Sequence, residues 1–585
     1  MRIARFLMAF AITLFTVHSV FAAGAHKTVT PRPLSQQITA SRGSVQGGAG
    51  NISPTITWGM DAQAYYARDN GIYSKHGLSM TIRHDDNVID QLNRVISGEQ
   101  AYFRGTIGMG ILADDALRGA GLELVPIVGI SRSTGGDAIV VRGTVKNIAD
   151  IRKIAVQYPG PHLDLMAKLF RDARRSLTGA GAPQVVYYPE LTLPPPEKDT
   201  GDIVDPVSAF LNDSSFDAVM CIIPDVDLLT GTEGVQGARM LASTKTMGRV
   251  IYDLVWVRSD YLQNNRREVE NFVRATLEAE EGAFGVYQNR TSSATAYQQL
   301  AGAMDKDFGL GTDIAGSMIG DGTFLNHNGN YHFFTGVGQT RNLANITNEV
   351  QGFFRDLGFL TRSAWTVTDP GWDWTSLGRG LKNVAAVRAP GQTAVAGAPA
   401  AAPRFNASQQ SRLEALVTSR IIEPTSDADA SGRLFQIEIL FAPNQTDFTV
   451  AKYDDKFQEA LSYIQTYDGA VVSFTGHADP RAMSKARAEF GSRPDWAQIQ
   501  TIVKQRMRTT SMKRAETAMR RFIEYCRGRG FTLDTSNITK VGAGIEHPKH
   551  PVQATMTPNM NRENRRVVIE LLQMEGELDD LLSEY

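Results

Sequence analysis

Between Ala386 and Ala402 the chain reads AVRAPGQTAVAGAPAAA, a run of small side chains, Gly and Pro. Such a segment buries little apolar area, and its prolines interrupt regular helix. It divides the 585 residues into two folding units. The larger is expected at 54–388 and the smaller at 410–585, with a linker at 389–409. A second polar stretch, 23–53, is rich in Gly, Ser, Thr and Pro and reads as a flexible leader. Residues 1–22 begin with Arg2 and Arg5, continue through the apolar run Phe6–Phe15 and end near the small residues Val20 and Ala22. This is the three-part pattern of a secretory signal peptide, cut before Ala23. No later segment approaches the ~18 uninterrupted apolar residues of a membrane span. The mature chain is expected outside the cytoplasm.

Composition narrows the function classes. The formal net charge is −2, which gives no general attraction for nucleic acid. The two cysteines, Cys221 and Cys526, fall in different units, so they read as buried small side chains and not as a disulfide. The chain has no HExxH, Cys-x-x-Cys or Gly-x-Ser-x-Gly. Asp225 and Asp227 stand close enough to share a metal but lack a third ligand. Neither catalysis nor a metal or cofactor is expected.

In the larger unit, short apolar runs alternate with helical patterns. Thr55–Gly59, Leu78–Ile82, Thr106–Gly110, Leu124–Ile130 and Lys153–Gln157 are short apolar or strand-like runs. Ile89, Leu92 and Ile96 recur at helical spacing, with Gly98 placed to stop the helix. The alternation predicts an α/β unit with a mainly parallel sheet. After Lys153–Gln157 comes YPGPH at Tyr158–His162, then a helix. A strand–Gly–helix turn of this kind leaves backbone N–H groups free for an anion. The run Ser131–Thr134 before Gly135 and Gly136 is a second polar strand end, with Arg132 able to supply a fork of donors.

WGMDAQAYYARDNGIYSKHGLSMTI at Trp58–Ile82 resembles the opening of periplasmic substrate-binding proteins of the nitrate, sulfonate and taurine type. VIDQLNRVISGEQ at Val88–Gln100, FDAVMCIIPDVDLLTG at Phe216–Gly231 and VWVRSDYLQNNRREVENFVRATLEA at Val255–Ala279 resemble later elements of that family. The resemblance implies a two-lobed α/β periplasmic-binding-protein fold over roughly 55–285, with 286–388 closing the first lobe by helices. It implies two crossings between lobes, near Asp137–Val141 and Gly248–Val255. It also implies a cleft bordered by Trp58–Met60, Ser131–Thr134, Tyr158–His162, Tyr187–Glu190 and Pro224–Asp227. The ligand-binding candidates are Trp58, Ser131, Arg132, Gly160 and His162, with Arg132 facing an anionic group, Gly160 donating from its backbone and Trp58 walling the ligand.

The smaller unit alternates Phe435, Ile437, Ile439 and Phe441 with less buried neighbours, then shows helical and strand patterns in the order β-α-β-α-β-β. GHAD at Gly476–Asp479, SMKRA at Ser511–Ala515 and NRRV at Asn564–Val567 resemble the signature of the OmpA-like peptidoglycan-binding domain. That resemblance implies a smaller α+β domain. Asp479 and Arg514 would hold the zwitterionic diaminopimelate of the peptidoglycan stem peptide through charge-assisted contacts. This chain departs from the family in the stretch Pro480–Arg508, a basic insertion between those two charges.

The combined reading is periplasmic capture of a small, anionic solute by a binding protein tethered to peptidoglycan, with an ABC permease or an envelope protein as a further partner. The alternative is a cell-envelope scaffold or sensor whose lobes engage a protein.

Overall fold

The computed structural model describes residues 24–191, 202–232, 234–337, 341–382, 384, 405–422, 433–443, 445–551 and 556–572. The expected signal peptide and most of the expected linker lie outside them.

The first lobe holds two sheets. A parallel pair joins β1 (Ile52–Thr55) to β2 (Thr81–His84). A four-stranded sheet runs β11-β4-β10-β3, built from β3 (Tyr102–Thr106), β4 (Leu124–Ser133), β10 (Tyr252–Arg258) and β11 (Gly322–Phe324). The second lobe is a five-stranded sheet in the order β7-β6-β8-β5-β9. Its strands are β5 (Asp137–Val141), β6 (Lys153–Gln157), β7 (Gln184–Tyr188), β8 (Ala218–Ile222) and β9 (Arg239–Ser243). The chain crosses between lobes at 134–136 and returns at 244–251, close to the expected crossings.

The sheets are less parallel than expected. In the first lobe β10 lies antiparallel to both β3 and β4, because it enters from the second lobe and runs back between them. In the second lobe β6 is parallel to β7 and β8, while β5 is antiparallel to β8 and β9. The run Thr106–Gly110 is not a strand. Thr106 ends β3 and its hydroxyl accepts from Met109 N at 3.2 Å, capping the helix Ile107–Gly119. That helix is buried along most of its length, and a buried helix shows the same unbroken apolar run as a buried strand. Gly110 is needed there, since a Cβ would sit 2.2 Å from the Trp256 ring.

The stretch 24–53 is a strap and not a loose leader. Lys27 N donates to Ile203 O at 2.8 Å and Val29 N to Tyr187 O at 2.9 Å, both in the second lobe. Gly43 N then donates to Ile96 O at 3.0 Å and Gln46 N to Gly98 O at 2.8 Å in the first lobe. Leu34 between them is fully buried. Its polar composition rules out a core of its own, but backbone pairing to two finished lobes needs no core. Farther along, helices Ala294–Phe308, Asn326–Thr335 and Leu343–Asp356 close the first lobe as expected.

The C-terminal unit is one sheet in the order β12-β15-β13-β14 with helices over it. Its strands are β12 (Arg433–Leu440), β13 (Val471–His477), β14 (Ile538–Gly544) and β15 (Arg566–Leu572). Only β13 and β14 pair in parallel. Helix Asp454–Thr466 and the 33-residue helix Trp496–Gly528 bury Phe457 and Phe522 edge-to-face, ring centroids 5.1 Å apart. The basic insertion folds as helix Arg481–Phe490 plus the first turns of the long helix. This unit docks on the lobes through Tyr467–Gly469, where Gly469 N donates to Thr246 O at 3.2 Å. Cys221 and Cys526 are both buried free thiols. Among the described residues, no helix is long and apolar enough to cross a membrane.

Candidate functional site

A cavity of about 500 Å³ lies between the lobes. It gathers the ends of β1, β2, β3, β6, β7 and β8 with the starts of β5 and β10. The carboxyl ends of strands are where open α/β sheets leave a crevice for a ligand. The first lobe contributes Trp58, Asp85, Asp86, Thr106 and Asp253, and the second Asp137, Tyr158, Gly160, Asp205 and Ile222. Val29 and Gln37 of the strap close one side.

A buried polar chain holds the first-lobe wall. Trp58 Nε1 donates to Ser131 Oγ at 3.0 Å, and Ser131 Oγ donates to Asp253 Oδ2 at 3.0 Å. Arg104, fully buried, donates to Asp253 at 3.0 Å and to Asp61 at 2.9 Å. One guanidinium thus serves two carboxylates. Burial, only partly offset by Arg104, pushes Asp253 up to about 6 and Asp61 above its usual range. Asp61 also accepts from Ile56 N at 2.7 Å.

At the rim, Asp86 accepts from Thr57 N and from Thr57 Oγ1, each at 2.6 Å. Asp85 pairs with Arg94. Asn87 caps helix Val88–Ser97, accepting from Ile89 N at 3.0 Å and Asp90 N at 3.1 Å. In the second lobe Asp137 stands 2.8 Å from His162 Nε2, and His162 is fully buried behind it. Gly160 permits a close approach, because a Cβ there would lie 2.5 Å from Gln157 Oε1.

Trp58 and Gly160 therefore line the cavity, Ser131 orients Trp58 from behind, and His162 backs Asp137. Arg132 does not face the cavity. Its guanidinium donates to Gly248 O at 2.8 Å and pairs with Asp468 of the C-terminal unit. Pro224–Asp227 turn into helix Ile223–Thr230, and only Ile222 before them reaches the cavity. The carboxylates at 85, 86, 137, 205 and 253 escaped the sequence reading. The phrase HDDN at His84–Asn87, a polar cluster between a strand and a helix pattern, was the available signal.

In the C-terminal unit, Asp479 follows β13 and accepts from Arg565 at 2.6 Å and Arg481 Nε at 3.1 Å. Burial raises this carboxyl, but Arg481 and Arg565 outweigh it and hold Asp479 below its usual range. Arg514, almost wholly buried, donates to Gln445 O at 3.0 Å and His477 O at 3.2 Å. Burial, then the neighbouring Arg565, lowers Arg514 to about 10, so it stays charged at neutral pH. Asn564 pins the facing loop, accepting from His550 N at 2.9 Å and donating to His550 O at 2.8 Å. The three motifs thus meet at one end of the sheet, with Arg514 and Arg565 around a single Asp479. Among the described residues no group of three His, Cys, Asp or Glu could hold a metal ion.

No protein-family model matches this sequence, and no curated protein matches it either. Among solved structures, the periplasmic aliphatic sulphonate binding protein of Escherichia coli is 16% identical, with a TM-score of 0.38 over 54% of this chain and 92% of its own. The periplasmic nitrate-binding protein of Synechocystis PCC 6803 is 12% identical, with a TM-score of 0.39 over 58% of this chain and 86% of its own. The alkanesulfonate-binding protein of Xanthomonas axonopodis pv. citri, bound to MOPS, is 14% identical, with a TM-score of 0.37 over 55% and 96%.

Proposed function

We propose that this protein captures a small solute between its two lobes in the periplasm, and that its C-terminal unit holds it to peptidoglycan. The observation that carries the first half is the interlobe cavity of about 500 Å³, a size that suits a small molecule, lined from both lobes at their strand ends. Capture predicts that a cognate solute raises the melting temperature of the full chain, since a ligand held only by the folded state stabilises it.

The tether is supported by the charge pattern at the end of β13. Three guanidiniums, Arg481, Arg514 and Arg565, around one carboxylate leave a net positive site with an acidic edge, complementary to an amino acid carrying both charges. Co-sedimentation of the mature protein with purified wall sacculi tests it. Pelleting undiminished in both Asp479→Ala and Arg514→Ala would remove this part of the reading.

A scaffold or sensor role in the envelope is the second reading. The docking of the C-terminal unit against the returning interlobe crossing favours it, because a wall anchor seated there bears on lobe movement.

A further inference from the structure

We propose that the cavity takes an organic cation with an apolar body, a protonated or quaternary amine, and not an anion. This rests on the reading of the cavity as a solute site and names the class of solute.

The sign of the lining is one-sided. Asp85, Asp86, Asp137, Glu190, Asp205 and Asp253 line the cavity, and among the described residues no Lys, Arg or His does. A cleft walled by one sign of charge concentrates the opposite ion. The nearest basic groups stand behind the wall and are already engaged. Arg94 pairs with Asp85, His84 Nε2 stands 3.4 Å from Asp86, His162 stands against Asp137, and Arg132 faces Asp468. Arg104 is divided between Asp61 and Asp253 and leaves that buried group one positive charge short.

A second observation lies beneath the floor. Asp164, 1% exposed, accepts no hydrogen bond from another side chain. It sits against the first turn of helix Ile107–Gly119, where a Cβ on Gly108 would lie 3.3 Å from its carboxyl carbon. Asp137 and Asp253, both lining residues, lie near enough to push its affinity for a proton upward together with burial. A carboxyl without a basic partner therefore lies one layer behind the lining, and burial, pushing it up to about 8, holds it neutral near pH 7 until a nearby cation favours its ionised form.

In the first lobe the donors an anion would need are spent. The backbone N–H groups after β1 belong to the protein's own carboxylates, Ile56 N to Asp61 and Thr57 N to Asp86. The N-terminus of helix Val88–Ser97 is filled by Asn87. Among the described lining residues, a nitrate or sulfonate would meet carboxylates and find no guanidinium. The remaining walls are apolar and aromatic, with Trp58, Tyr158, Met109 and Ile251, which suit a hydrocarbon body.

The experiment is a thermal-shift screen followed by calorimetry on the full mature chain, with a library sorted by charge. One arm holds primary amines, diamines, quaternary ammonium ions and cationic heterocycles. The other holds nitrate, phosphate, sulfonates and carboxylates of matching size. Stabilisation confined to the cationic arm is expected, weakened about tenfold or more in Asp86→Asn and Asp137→Asn. Glu190→Gln, at an exposed position, weakens the same ligand less and, with the exposed Asp86→Asn, guards against a folding defect in the buried Asp137→Asn. Stabilisation by the anionic arm alone overturns the proposal and leaves solute capture standing. Silence in both arms overturns solute capture as well.

Discussion

Asp468, in the loop before β13, and Arg132, at the end of β4, form an ion pair that joins the C-terminal unit to the point where the chain leaves the first lobe. The same carboxylate accepts from Arg249 Nε at 3.0 Å, on the segment that returns from the second lobe. Both interlobe crossings thus meet one side chain of the other unit. Neighbouring contacts tighten the seat. The Tyr467 hydroxyl donates to Asp172, and a Cβ on Gly469 would lie 1.9 Å from Lys245 O. Burial raises the Asp468 carboxyl, but Arg132 and then Arg249 outweigh it and hold it below its usual range. Its contribution is present above the unfolded carboxylate range and is lost as pH falls through the lower folded value.

Asp468→Ala leaves two largely buried guanidiniums without their shared partner. Breaking such a pair costs on the order of 3 kcal/mol. The expected outcome is separation of one thermal transition into two, with a larger radius of gyration in small-angle scattering. An unchanged single transition would mean that the docking does not depend on this carboxylate.

Leu34→Ala tests the strap. In a loose leader the change is worth less than about 0.5 kcal/mol, as at any open surface. Fully buried as it is, Leu34 is expected to contribute about 2–4 kcal/mol, read by chemical denaturation. Because Val29 and Gln37 close the cavity, the same variant is expected to release a bound solute faster in stopped-flow measurements.

Asp164→Asn tests the acidity beneath the cavity. Burial pushes the Asp164 carboxyl up to about 8, against 3.8 for the free group. Between those values the unfolded chain loses a proton that the folded chain keeps, so this group erodes stability as pH rises. The variant removes that slope. Its stability relative to the parent is expected to climb from about pH 4 to about pH 8 by a few kcal/mol and then level off. Denaturation midpoints at several pH values measure it, and parallel curves would remove Asp164 as the source.

Arg514→Lys separates fold from recognition in the C-terminal unit. Lysine keeps the charge but cannot reproduce the fork that reaches Gln445 O and His477 O. A stability loss of about 1 kcal/mol is expected, with loss of sacculus binding far larger than that loss explains. Retained binding would assign Arg514 to structure alone.

Local pattern was enough for much of the architecture. The alternation Phe435–Phe441 and the helical stripe Ile89–Leu92–Ile96 are short-range signals, and each reflects which side of an element meets a core. They make the alternation of strands and helices and the C-terminal sheet legible, while the two lobes and their crossings were implied by the family resemblance alone. They also bring the three C-terminal motifs into order. Thr106–Gly110 failed because an element buried on every side carries no periodicity.

The cavity was less legible for a different reason. Arg132 had every local mark of an anion ligand, yet its partner is Asp468, in the other unit. Asp85, Asp137, Asp205 and Asp253 are unremarkable one by one and meet only because separate strand ends converge between the lobes. The sequence by itself determined most of the elements and their order. Tertiary structure alone decided the sign of charge in that cleft, the fate of Arg132 and the burial of Leu34. Charge and burial at a site are sums over groups distant in sequence, and only the folded chain carries out that sum.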